Sequence, residues 1–302
     1  MEKKVIVLTA VILFAAVGLA QAQEPELHGA AGVTLDSRYI WRGITVFGSK
    51  GGFHPFVDLD LYGTGFGLSV TGHMPMGTNP AGPLGAPPLN VDLQKLERWD
   101  YTPYYKGMFG KDEKWETRYM IGYTYFNYPD ASSHKSFKAP ARIGSYDLQE
   151  VFAGVAMPNL TGVTGLVPGY VVIKGWPSNS GTLTGSANPN GGTYSGWAHV
   201  FMLDYGVPIE GLMPETPEQM INLHGEIVYN DQIDPRPAGP WTESDWTHFL
   251  LSASTDFDLG YGLTFTPGLY YQHTLENNGG TSPSINRDTD ILWSRFTLTY
   301  KF

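Results

Sequence analysis

The chain has 302 residues, a formal charge of -10 and no cysteine. The missing thiols exclude a disulfide framework and thiolate metal sites, and the acidic balance argues against nucleic acid as a partner. Aromatic residues reach 14% while charged residues stop at 16%, and beyond the first segment no apolar stretch approaches the ~20 residues that a membrane-spanning helix needs.

The chain opens with Lys3 and Lys4, an uncharged apolar run from Val5 to Leu19, and then Ala20, Gln21, Ala22. A positive start, a short apolar run and a small-x-small site predict a secretory signal peptide over residues 1–22, with the mature chain over 23–302. Removing Glu2, Lys3 and Lys4 takes Lys+Arg from 19 to 17 and Asp+Glu from 29 to 28, for a net charge of -11. No cysteine follows the site, so a lipid anchor is not expected.

The remainder reads as strands with period-two patterning. The first is expected from about Ala31 to Arg42, with Val33, Leu35, Ser37, Tyr39 and Trp41 on one face and Asp36, Arg38 and Arg42 on the other. The second, Phe53 to Leu61, sets Val57 and Leu59 against His54, Asp58 and Asp60. Further strands are expected near 66–73, 98–106, 115–126, 146–157, 167–174 and 194–205. From Ile221 to Tyr229, Leu223 and Ile227 oppose His224 and Glu226. Strands near 246–257 and 263–271 follow. In the last, Leu292, Ser294, Phe296, Leu298, Tyr300 and Phe302 oppose Trp293, Arg295, Thr297, Thr299 and Lys301. Around Phe152 and Phe201 both phases are apolar, and no inward face can be assigned.

About twelve strands, joined by connections that alternate between long and short, predict a transmembrane antiparallel up-and-down β-barrel. Hydrocarbon offers the backbone no hydrogen-bond partner, so the sheet must close on itself. An Arg or Lys facing lipid near the midplane costs about 2–4 kcal/mol, which explains why charges keep to one parity. Phe53, Trp41, Trp115, Tyr125, Phe257, Tyr300 and Phe302 are expected in interfacial girdles. Pro55, Pro103 and Pro267 fall inside strands and cannot donate to a ladder, so bulges or displaced strand ends are expected there.

The segment Tyr39, Ile40, Trp41, Arg42, Gly43, Ile44, Thr45 resembles the Tyr-x-aromatic-Arg-Gly-Ile-Ser/Thr start of the TorF-type porin family, and Asp147 to Val155 is similar to a mid-chain strand of the same family. The resemblance implies a twelve-strand-class barrel with a transport role and brings no catalytic or ligand residues. The segment Gly77 to Pro88 is a longer Pro/Gly-rich loop than that family leads one to expect.

Three functions follow from such a barrel. The first is a passive channel for small polar or charged solutes, lined by Arg38, Arg42, Asp58, Asp60, Arg98, Asp100, Lys106, Glu116, Arg118, His224, Glu226 and Arg295. Opposed basic and acidic walls would set a transverse field; the same charges also read as pairs that neutralise one another and plug the lumen. The second is an outer-membrane lipase or protease, drawing on His224, Glu226, Ser252 and Ser254, on Asp245, His248 and His273, or on His134 and Ser136. The third is an adhesin or structural barrel. The channel is expected over an enzyme, with no cofactor or metal. Its expected partners are outer-membrane lipid, lipopolysaccharide, the barrel assembly machinery reading the C-terminal strand, and small solutes.

Overall fold

The computed structural model describes residues 27–47, 50–77, 97–129, 147–177, 196–213, 216–231, 244–275 and 290–302. The expected signal peptide, His134, Ser136 and most of the segment Gly77 to Pro88 lie outside these residues. Among the described residues there are fifteen strand segments: β1 (His28–Asp36), β2 (Ile40–Trp41), β3 (Ile44–Thr45), β4 (Gly52–Asp60), β5 (Phe66–Pro75), β6 (Arg98–Phe109), β7 (Thr117–Asn127) and β8 (Leu148–Ala156). They continue as β9 (Leu166–Pro177), β10 (Gly196–Met213), β11 (Thr216–Asp231), β12 (Asp245–Thr255), β13 (Phe257–Gly260), β14 (Leu263–Thr274) and β15 (Asp290–Lys301).

Except for β2 and β3, and with β12 and β13 both pairing with β14, each segment pairs antiparallel with its neighbours along the chain, and β15 returns to pair with β1 from Ala30↔Lys301 to Asp36↔Arg295. The sheet therefore closes into a cylinder. With β12 and β13 as one stave interrupted at Asp256, it is a closed twelve-strand antiparallel barrel, as the period-two patterning leads one to expect.

Register assigns every strand a phase, because residues paired directly across a ladder share a face. Val57, Tyr101, Ile121, Val151, Phe201, Leu223, Leu251, Leu269, Leu292 and Phe296 point outward and are all exposed. Asp36, His54, Arg98, Thr124, Glu150, His248, Gln272 and Trp293 point inward and are buried. Inner-face threonines meet across strands, Thr34 to Thr297 at 2.9 Å and Thr102 to Thr124 at 3.0 Å. The phases left open are settled by the ladders Gly122↔Phe152 and Phe201↔Tyr170: Phe152 faces in and Phe201 faces out.

The prolines sit differently from expectation. At Pro55 and Pro103 the ladder loses rungs on one side and keeps its register: β4–β5 pairing passes from Phe53↔Met74 to Phe56↔Thr71, and β6–β7 pairing from Tyr101↔Tyr125 to Tyr104↔Gly122. Pro267 falls where β12 leaves β14 and β13 takes over, so its absent N–H is not missed. The register shifts lie elsewhere, between Val228 and Tyr229, between Glu210 and Met213, and between Asp258 and Gly260.

The two rims differ. Connections 61–65, 110–116, 157–165, 214–215 and 261–262 are short and share the rim of His28 and Lys301. The strand ends joined by residues 76–97, 128–147, 178–195, 232–244 and 275–289 lie at the opposite rim. The stretch from Gly206 to Glu218 is mostly strand. There β10 and β11 run on together past the last rungs that their outer neighbours make at Tyr205↔Leu166 and Ile221↔Thr255.

Candidate functional site

The expected first strand, Ala31 to Arg42, ends early. β1 stops at Asp36, and the chain then turns into the cylinder and makes a small hairpin, β2 against β3, with Ile40↔Thr45 and Trp41↔Ile44 in register. Arg42 and Gly43 form its two-residue turn, with φ of 52° and 79°. Positive φ at both central residues is what a tight hairpin of matching twist requires. Glycine adopts it freely, whereas Arg42 is held there at a cost of roughly 1–2 kcal/mol.

The family-like segment Tyr39 to Thr45 is therefore not barrel wall. It is a strap lying inside the barrel, near the rim of the longer connections. With strands ~4.8 Å apart and tilted ~40°, twelve strands give a cylinder about 24 Å across. Six extended residues from Asp36 reach ~20 Å, so the turn can approach the far wall.

Its contacts run around the lumen. The Tyr39 ring lies against His54 of β4 at 4.6 Å, His73 of β5 at 5.0 Å and Phe47 at 5.0 Å, and its hydroxyl accepts a hydrogen bond of 2.6 Å from Arg98 of β6. Trp41 meets Phe126 edge-on at 5.6 Å, and the Arg98 guanidinium lies over the Trp41 ring at 4.6 Å from its centre. It packs on a buried cluster of Phe126, Leu148 and Ala198, with Ile173 alongside. Arg42 at the turn is ion-paired with Glu150 of β8. Gln272 of β14 donates to the Gly43 carbonyl at 3.0 Å. A Cβ on Gly43 would lie 2.7 Å from Nδ1 of His248 in β12. Trp41, expected in an outward girdle, is thus an interior side chain, as is Tyr39. Phe53, Trp115, Tyr300 and Phe302 are exposed on the outside as expected.

The charged residues expected to line the interior are mostly paired with near neighbours. Arg295 makes a bidentate pair with Asp36, through Nε at 2.6 Å and Nη2 at 2.9 Å. Arg98 pairs with Asp100 at 2.8 Å, Lys106 with Asp60 at 3.0 Å and Arg118 with Glu116 at 3.1 Å. Glu116, in the short connection before β7, also accepts from the Asp112 amide, and that bond holds its carboxyl below the usual range. His224 sits between Asp204 at 2.7 Å and Glu226 at 3.4 Å. Asp58 accepts from the Tyr104 hydroxyl at 2.7 Å, a reach across β5 that passes over Gly67, where any side chain would collide with the phenol. Arg38 lies in the bend after β1 and Arg42 in the hairpin turn, so neither belongs to the barrel wall. These pairs lie within one strand or between strands no more than two places apart in the sheet, and none joins opposed walls.

Among the described residues the enzyme-like groupings do not assemble. Ser252 is directly across from His224, but both imidazole nitrogens of His224 face carboxylates, leaving none to take a serine proton. His248 points inward, whereas His273 points outward and binds Asp290 at 2.8 Å. Among the described residues no group of His, Asp and Glu is arranged to hold a metal ion.

The strap is gripped by His54, His73, Glu150, His248 and Gln272, of which the sequence offered only His248 as a functional candidate, and that for catalysis. Two signals were available: Arg42-Gly43 as a two-residue turn between β-formers, and the apolar doubling of β8–β10, whose inward faces meet Trp41.

Neither a protein-family model nor a curated protein matches the chain. Among solved structures, the chain is similar to the translocator domain of the autotransporter NalP from Neisseria meningitidis, at 12% identity over 99% of this chain and 96% of that one, with a TM-score of 0.41. The anion-selective porin from Comamonas acidovorans matches at 10% identity over 92% and 99%, TM-score 0.34. The CymD monoaromatic hydrocarbon channel matches at 10% identity over 95% and 91%, TM-score 0.38. Likenesses at this level carry no argument about function.

Proposed function

We propose that this chain is a barrel of the bacterial outer membrane, exported by its N-terminal signal, that passes small polar or charged solutes through a lumen narrowed by the Tyr39–Thr45 strap. One observation carries the reading: around the closed cylinder, large apolar and aromatic side chains face outward while ionisable side chains collect inside. In water the outward band would be an unpaid hydrophobic surface; in hydrocarbon it is the favoured arrangement. The resemblance of Tyr39 to Thr45 to the TorF-type porin family supports the same reading. The partners follow from it: lipid and lipopolysaccharide around the band, the assembly machinery at the C-terminal strand, and small solutes within. In this reading the chain is a conduit and not an enzyme, and the carboxylates facing both ring nitrogens of His224 support it.

Planar-bilayer recording of the detergent-refolded chain tests the proposal. The expected result is discrete, small conductance steps that grow when Tyr39–Phe47 is replaced by a short Gly/Ser linker. A strap-less barrel that is folded yet passes no ions would refute it.

A further inference from the structure

We propose that His54 and His73 form a proton-sensitive latch that holds the strap in the lumen at neutral pH and releases it in acid. The proposal rests on the channel reading only for its consequence, not for its mechanism.

The geometry carries it. His54 of β4 and His73 of β5 face each other inside the barrel, Nδ1 to Nδ1 at 2.9 Å. Such a contact is a hydrogen bond only when one of the two nitrogens carries a proton and the other does not. The other atoms decide which. His73 Nε2 lies 3.0 Å from Asp100 Oδ2, a carboxylate that only accepts, so that nitrogen is the protonated one and His73 Nδ1 is bare. His54 Nδ1 must therefore be the donor. His54 Nε2 then faces Asp36 Oδ2 at 3.3 Å without a hydrogen bond. One proton added to the pair thus goes to His54 Nε2, where it faces the Asp36 carboxylate. A second has only His73 Nδ1 to occupy, where it sets two N–H groups against each other across 2.9 Å.

The surroundings do not absorb that second charge. The carboxylate facing His54 is Asp36 of β1, already held bidentately by Arg295 of β15. The carboxylate facing His73 is Asp100 of β6, already paired with Arg98 of the same strand, which is itself bonded to the hydroxyls of Tyr39 and Tyr128. Each acid is matched by an arginine, so a doubly protonated histidine pair is in excess by its full charge inside a buried site.

The strap feels this because Tyr39 is seated on both imidazoles at once, at 4.6 Å and 5.0 Å. Tyr39 also accepts the backbone N–H of Val46 at 2.9 Å, the bond that closes the base of the hairpin. Driving the two rings apart removes the seat and loosens that base. The seated form binds fewer protons than the released form, and so its stability falls as pH falls.

The chain has no cysteine, so Val46→Cys supplies a single site for a nitroxide spin label in the refolded full-length barrel. The expected spectrum is immobile at about pH 7.5 and loses its immobile component reversibly on acidification to about pH 4.5. His73→Gln and, as a second variant, His54→Gln each leave one imidazole, so the immobile component should persist at both pH values. An unchanged wild-type spectrum in acid, or the same loosening in both variants, would overturn the latch. Conductance measured on the same samples separates the two readings: a barrel that loosens its label in acid yet never conducts supports the latch and refutes the channel.

Discussion

Gly43 and His248 are in such close contact that a single added methyl group would lie 2.7 Å from the imidazole Nδ1. The turn of the inner strap is seated on β12, nearly across the barrel from the β4–β6 wall that holds Tyr39. Anchoring at both ends distinguishes a strap that spans the lumen from a loop that merely dips into it, and the consequences are measurable.

Gly43→Ala combines this collision with a φ of 79° that a side chain tolerates poorly. The turn should lift from His248 at a local cost of about 1–2 kcal/mol. Single-channel recordings should show larger or noisier openings, while the heat-modifiable gel mobility of the folded barrel stays unchanged.

Arg42 and Glu150 form a largely buried ion pair, with Glu150 almost wholly sequestered. Removing either partner strands the other, at about 3 kcal/mol. Arg42→Ala and Glu150→Ala should therefore each weaken the strap, and the double variant should cost clearly less than the sum. A double-mutant cycle on urea unfolding in detergent reads the coupling; simple additivity would show the pair to be inert.

Apart from the strap's own ion pairs, Asp58, Asp60, Glu116, Asp204 and Glu226 stand at the interior face or its short-turn rim against Lys106, Arg118, His224 and Lys301. The surplus of carboxylates predicts a cation preference. In a salt gradient the reversal potential should take the cation-selective sign, and Asp58→Asn with Glu226→Gln should lower the permeability ratio roughly twofold.

Leu269 is exposed on the outer face in the middle of β14, and Ser252 faces inward on β12. In a bilayer, Leu269→Arg should cost about 2–4 kcal/mol, whereas Ser252→Arg, on the water-facing inside directly across from His224, should cost much less. Folding yields into lipid vesicles compare the two, and equal yields would contradict a lipid-facing outer wall.

Period-two alternation made the strands, their number and most of their faces legible, since a strand with one apolar environment must repeat every second residue. The C-terminal run from Leu292 to Phe302 is the clearest instance: every residue keeps the face its parity assigns. The prolines misled for a local reason. A missing rung is tolerated when the flanking rungs hold the register, which no count of donors along one strand reveals.

The strap was not legible, because alternation continues unbroken from Val33 through Trp41 and gives no sign of leaving the wall. Its position depends on side chains from β4, β5, β6, β8, β12 and β14, remote in the chain and brought together only when the cylinder closes. The doubled apolar phases near Phe152 have the same origin: those strands present apolar side chains inward because Trp41 and its neighbours occupy the space where water would otherwise be. Sequence alone determined that a two-faced sheet must form. Closure into a cylinder decided which segment fills its centre, since a cavity exists only once the last strand has met the first.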